Sequence, residues 1–172
     1  PFGDEVTLSD QDRQRAIATW KGRMVNEHVS ARVFAALIPQ LMKAGLDPDW
    51  QERVAIMIQD ELRHARLCAT MVHALGGEAI AELPPLPDVP EHPDVSPLEG
   101  VLRNLLSISC LSETVAVALI RAEHDTVSPD TMQRTLGSIL SDEVQHARFG
   151  WECLRVLAPQ MDDAMKTRLT SY

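Results

Sequence analysis

Asp60-Glu61-Leu62-Arg63-His64-Ala65-Arg66-Leu67 and Asp142-Glu143-Val144-Gln145-His146-Ala147-Arg148-Phe149 are two copies of one pattern, alike at Asp, Glu, His, Ala and Arg. A glutamate and a histidine three residues apart stand on one helix face, one turn apart. One copy would be unremarkable. Two copies, on the second and fourth of four long helical stretches, point to two related helix pairs.

Working outward, the local punctuation sets the helix limits. Ser9 with Asp12 three residues later reads as an approximate capping box opening the first helix, which runs towards Ile38 and Pro39. The second starts near Pro48-Asp49 and stops before Gly76-Gly77. Ser96-Pro97 starts the third, which ends near Thr126. Ser128-Pro129 starts the fourth, which stops before Pro159, and a short amphipathic piece follows from Met161.

Between the second and third helices, Gly76 to Ser96 carries seven helix breakers: Gly76, Gly77, Pro84, Pro85, Pro87, Pro90 and Pro93. A tight bundle turn needs only about 2–8 residues. Twenty-odd extended residues reach on the order of 60 Å at ~3.1 Å each, against about 40 Å for a helix of ~27 residues. The connector can therefore travel the length of a bundle and set the second and third helices parallel. The expectation is an all-α, four-helix bundle with one long crossover and a short fifth helix at the C-terminal end.

The helix seams, read in steps of three and four, are apolar except at their middles. The first supplies Ile17, Trp20, Met24, Glu27, Ala31, Phe34 and Ile38; the second Val54, Met57, Glu61, His64, Cys68, Met71 and Leu75. The fourth supplies Met132, Leu136, Ile139, Glu143, His146, Gly150, Cys153 and Leu157, and the third a broader stripe of Leu102, Leu106, Ser109, Cys110, Glu113, Ala116, Val117 and Ile120. Burying one unpaired charge costs several kcal/mol. Four like charges in one core must protonate or find cations, and the one basic residue near that depth is Arg23, a turn below Glu27. Two divalent metals would balance the four carboxylates, and two imidazoles would complete the coordination.

The heights agree. Glu27 is eleven residues before Ile38 and Glu61 eleven after Trp50; Glu113 is thirteen before Thr126 and Glu143 thirteen after Asp130. At ~1.5 Å per residue each pair is level, provided the first helix ends or bends near Pro39, since straight continuation to Ala44 would misplace Glu27 by roughly 9 Å.

Composition bounds the rest. The 172 residues suit a single domain spanning 1–172, with 45% hydrophobic, 24% charged and only 4% aromatic residues, a balance that fits a bundle better than a β-sandwich. A net charge of −9 offers no cationic surface, which argues against nucleic acid and anionic membrane as partners. Cys68, Cys110 and Cys153 are odd in number and include no CxxC pair, so a cytoplasmic location is expected. No run of about eighteen apolar residues is evident, so no membrane span is expected.

The motif, repeat, helix order and crossover together resemble the ferritin-like di-iron carboxylate superfamily, through Glu27, Glu61-x-x-His64, Glu113 and Glu143-x-x-His146. The resemblance implies two iron ions, with manganese in one or both places left open. It implies that Glu61 and Glu143 bridge the metals, that Glu27 and His64 complete one site, and that Glu113 and His146 complete the other. It further implies that Asp60 holds His146 and Asp142 holds His64. Bacterioferritins bind haem through a methionine where this chain has Leu62. Rubrerythrins carry a further glutamate where it has Ala116, and animal-type ferritins generally lack the second histidine. The implied function is an oxidase or oxygenase that uses O2 or peroxide on an unidentified small molecule, with an electron-donor protein and a homodimer left open. Iron binding or storage, and a structural bundle with a vestigial site, stay open beside it.

The remaining candidates read as structural. Arg66 and Arg148 are expected in ion pairs, His28 on the surface or behind a ligand rather than on a metal, His124 too far along its helix to reach the site, and Cys110 as a small buried hydrophobe. Trp20 and Trp151 are read as packing residues. Tyr172, the sole tyrosine, stands at the chain end and does not suit a stable tyrosyl radical. Ala31, Ala65, Ser109, Ala116, Ala147 and Gly150 are expected to leave room beside the metals.

Overall fold

The computed structural model describes residues 8–128 and 130–172; Pro129, half of the expected fourth start signal, lies outside them. The described residues form α1 (Asp10–Lys43), α2 (Pro48–Ala74), α3 (Pro97–His124), α4 (Asp130–Leu157) and α5 (Asp163–Ser171), with a 3-10 turn at Ala158–Gln160 and no strand.

Local chemistry explains the ends. The Ser9 hydroxyl accepts from the Asp12 backbone N–H at 3.1 Å and donates to the Asp12 carboxylate at 2.7 Å, so the acid grips the cap itself. Ser96 caps α3 through the Glu99 N–H, and Asp162 caps α5 through the Met165 N–H. α1 and α2 stop alike. Gly45 and Gly76 take positive φ, and the two N–H groups beginning there return to carbonyls of the last turn: Gly45 to Met42 and Leu46 to Leu41, Gly76 to His73 and Gly77 to Val72. Left-handed backbone of this kind is where glycine carries no steric cost.

Pro39 does not end α1, which continues to Lys43. A mid-helix proline costs about 3 kcal/mol, but Leu37 and Leu41 flank it fully buried and hold that turn in the core. The level therefore changes. Glu27 is sixteen residues before Lys43 and His64 is sixteen after Pro48, so Glu27 stands level with His64, while its carboxylate still groups with that of Glu61. Leu37 and Leu41 also replace Ile38 as the inward residues of that end, and Ile38 and Met24 are only half-buried.

α1 packs along α2 and α3 along α4. The connector climbs α1 from one end to the other. Gly77 lies against Ile17, Pro87 and Asp88 take hydrogen bonds from Arg32, Pro90 takes one from Gln40, and Glu91 reaches Lys43.

Buried apolar residues form two clusters. One is built around Phe34, Leu37, Leu41, Leu105 and Phe149, the other around Trp20, Met71, Leu75, Leu136 and Ile139. The polar seam residues occupy the layer between them. α2 and α4 bury every seam residue expected of them. α3 differs, because Leu106–Ser112 is π-helical. Of its expected stripe Leu102, Ser109, Cys110, Glu113 and Ile120 are buried, whereas Leu106, Ala116 and Val117 are half-buried, and Val101 and Leu105 join the buried face ahead of the wider turn.

Against expectation, α3 is long and apolar enough, by length and composition, to cross a membrane, the one such helix among the described residues. It buries Glu113 on one side while Leu111, Val115 and Leu119 stand exposed.

Candidate metal centre

All six expected ligands are buried in the layer between the two apolar clusters: Glu27, Glu61, His64, Glu113, Glu143 and His146, none more than 7% exposed. They form two groups that could each hold a metal ion. Glu27, Glu61, His64 and Glu143 make one, and Glu61, Glu113, Glu143 and His146 the other; within each, the four ligand atoms lie within 4.8 Å of one another. Glu61 and Glu143 belong to both.

The histidines enter with defined orientation. His64 Nε2 is 3.1 Å from Asp142 Oδ2, and His146 Nε2 is 3.4 Å from Asp60 Oδ2, the crossed pairing expected. With Nε2 engaged by an acid, Nδ1 is the nitrogen turned to the site. His64 Nδ1 stands 3.5 Å from Glu27 and 3.2 Å from Glu143; His146 Nδ1 stands 3.0 Å from Glu61 and 3.3 Å from Glu143. These contacts are close without being aligned as hydrogen bonds. Both Nδ1 atoms, Glu61 Oε1 and Glu143 Oε2 are buried without a hydrogen-bond partner among the described residues. Orphaned buried donors and acceptors are rare because each costs about 1–3 kcal/mol. Four of them converging from opposite helices is what a cation would satisfy, so the donor set fits a pair of metals.

Without metal, protons hold the charge. Burial pushes Glu113 up to about 10, helped by Glu143 beside it, and Glu61 up to about 7 against the pull of His146. Burial alone would discharge the imidazoles, but the carboxylates outweigh it: Glu143, Glu27 and Asp142 raise His64 to about 10, and Glu143 and Glu61 raise His146 to about 11. Burial also acts to raise Glu143, yet the close imidazoles of His146 and His64, with Glu113 beside it, hold it well below the usual carboxylate range. A contrast lies near one end of the bundle. Glu99 is only 1% exposed, but Arg168 and Arg103 grip it and hold its carboxyl below the ordinary value. The four central glutamates have no such arginines, except that Arg23 approaches Glu27 to 4.0 Å.

Two participants escaped the sequence reading. Arg63 binds Asp60 at 3.0 Å and Asp142 at 2.5 Å, tying together the acids that orient the two histidines. Its one signal is that the repeat breaks there, with Gln145 in the other copy. Glu99 lies off the seams, and nothing local marks it as buried.

Other candidates fall away from the centre. Arg66 and Arg148 are exposed and make no ion pair among the described residues, contrary to expectation, because they point off the repeat's buried face. His28 is exposed, and His124 bonds Asp125. Cys68, Cys110 and Cys153 are free and buried, and burial raises all three thiols, Cys110 and Cys153 to about 12. Trp20 is core, whereas Trp151 is half exposed and donates to Thr114.

The expected free space is only partly present. The gap left by Gly150 is filled: a Cβ there would meet Ser109 Oγ at 2.7 Å and Cys110 N at 2.9 Å. Ala116 does line space, in a cavity of about 470 Å3 that reaches Glu27, Glu61, Glu113 and Glu143. No family model, curated protein or solved structure matches this chain.

Proposed function

We propose that this chain is a ferritin-like, non-haem di-iron oxidoreductase that uses O2 or peroxide on a small molecule. One observation carries the reading: two four-residue ligand groups share Glu61 and Glu143, and their buried inward atoms lack hydrogen-bond partners. The crossover path along α1 and the repeated Glu-x-x-His on α2 and α4 support the ferritin-like assignment.

On this reading Glu27 and His64 would hold one metal, Glu113 and His146 the other, and Glu61 and Glu143 both. Bound iron supplies one-electron and oxygen chemistry. The chain supplies the rest. Asp142 and Asp60 fix the imidazole tautomers, presenting Nδ1 inward. Arg63 offsets the charge of those two acids. Apolar layers above and below exclude water. The cavity beside Ala116 gives a small molecule a way in.

The test is anaerobic Fe(II) titration followed by oxygen, reading near-ultraviolet oxo-to-iron absorption. Saturation at two irons per chain is expected, and loss of both in Glu61→Ala plus Glu143→Ala. Absence of saturable binding refutes the reading. Iron accumulating far beyond two per chain in a large cage favours storage instead.

A further inference from the structure

Arg23 stands where two cavities meet. The first is the 470 Å3 cavity whose floor is the carboxylate cluster. The second, of about 270 Å3, is walled by Trp20, Val127, Met132 and Leu136. Arg23, Glu123 and Thr19 line both, so the Arg23–Glu123 pair forms part of the partition. The first cavity alone is within the size range of small-molecule sites, about 300–1,000 Å3.

The pair is unequal. Arg23 is 15% exposed at its side chain and Glu123 is 48% exposed, with their charged atoms 2.5 Å apart. A mostly buried cation requires an anion. Its partner, half in water, loses little by swinging out, since exposed carboxylates gain only modestly from such pairs. Glu27 stays 4.0 Å from the other guanidinium nitrogen, so what exchanges on Arg23 is the closer position that Glu123 occupies. Behind it the Trp20 ring lies 5.8 Å from the guanidinium carbon, at the edge of the apolar cavity.

We infer that the Arg23–Glu123 pair is the head-group clamp of a site for a small amphipathic carboxylate. The incoming carboxylate replaces Glu123 on Arg23, and the apolar tail enters the cavity of Trp20, Val127, Met132 and Leu136. The charged end of the ligand, rather than the end of its tail, then faces Glu27 one helical turn away. A guanidinium fork suits carboxylate and phosphate alike. One arginine above four glutamates favours the monoanion, because a dianion would add charge that a single guanidinium does not balance. The catalytic meaning of the site rests on the di-iron reading; the binding itself does not.

The test titrates octanoate, octanamide and octylamine into metal-free and Co(II)-loaded protein by calorimetry. Octanoate is expected to bind saturably, about tenfold or more tighter than octanamide, with octylamine no better. Arg23→Gln removes that preference. Glu123→Gln, by deleting the competing anion, tightens octanoate several-fold, whereas a merely structural ion pair predicts no gain. Emission from Trp20, read as the difference from Trp20→Phe, is quenched by 8-bromooctanoate.

Octanoate affinity unmoved by Arg23→Gln places the carboxylate on the metal or elsewhere and overturns the clamp. So does Glu123→Gln with no tightening, and that variant decides alone should Arg23→Gln fail to fold. Unquenched Trp20 emission overturns the tail placement. Co(II) titration of the same samples separates the two claims. Protein that takes up cobalt but not octanoate defeats the clamp only, and protein that binds octanoate through Arg23 but takes up no cobalt when titrated defeats the metal reading only.

Discussion

Gly150→Ala should destabilise this protein although it replaces a mid-helix glycine with the best helix former. Propensity alone favours alanine by about 1 kcal/mol. Packing opposes it. The new methyl would meet Ser109 Oγ at 2.7 Å and both the backbone N and the Sγ of Cys110 at 2.9 Å, and one of these atoms is main chain that no rotamer can move. Overpacking of this kind costs about 1–3 kcal/mol. Ser109 also donates to the His146 carbonyl at 2.7 Å, and pushing it aside forfeits a buried hydrogen bond of about 1 kcal/mol. The net is roughly 2 kcal/mol of destabilisation, or a Tm lower by about 4–8 °C for a chain of this length.

Gly22→Ala supplies the opposite sign. It is also a helical glycine, but nothing lies within 4 Å of its added carbon, so Tm should rise by about 2–4 °C. Thermal melts followed by far-ultraviolet circular dichroism on metal-free protein read both. Because Ser109 and Cys110 lie in the π-helical turn that leads into Glu113, Gly150→Ala should also weaken the Glu113–His146 half in a Co(II) titration while the Glu27–His64 half holds. A Gly150→Ala protein that melts at or above the parent removes the idea that α4 pins this turn.

Two further outcomes follow from the same site. His64, His146, Glu113 and Glu61 all have raised values, so over the interval from their ordinary values to about 10, 11, 10 and 7 the metal-free native state holds more protons than the unfolded chain. Stability is then lost as pH rises, and the metal-free Tm should fall between about pH 6 and about pH 9 while metal-saturated protein stays level or gains; a rising metal-free Tm contradicts this. Asp142→Asn should weaken Co(II) binding at the His64 half by about 10–100-fold, and Asp60→Asn the His146 half by less, given the longer contact of 3.4 Å. Visible absorption of cobalt reads both, and equal loss in the exposed-residue variant Glu52→Gln would show the effect to be unspecific.

Helix limits and helix faces were legible from the chain because both are local. Ser9 and Ser96 cap by reaching three residues ahead, and Gly76 stops a helix by its own backbone freedom, whereas the stop at Gly45 lay beyond the proline expected to end α1. A seam interrupted by glutamate and histidine announces itself by cost, which is why six buried polar residues could be named from periodicity. Tertiary packing decided what periodicity does not encode. Leu37 and Leu41 kept Pro39 inside α1 and moved Glu27 level with His64. A π turn carries no composition of its own, yet it lies where Leu106 leaves the buried face of α3, and only docking set Ser109 into the gap at Gly150. Arg63, Glu99 and Arg23 took their roles from partners tens of residues away, Asp142, Arg168 and Glu123. Spacing along a helix fixes which residues share a side; which charge meets which across the bundle is set only when the helices dock, because that pairing depends on distances no local pattern contains.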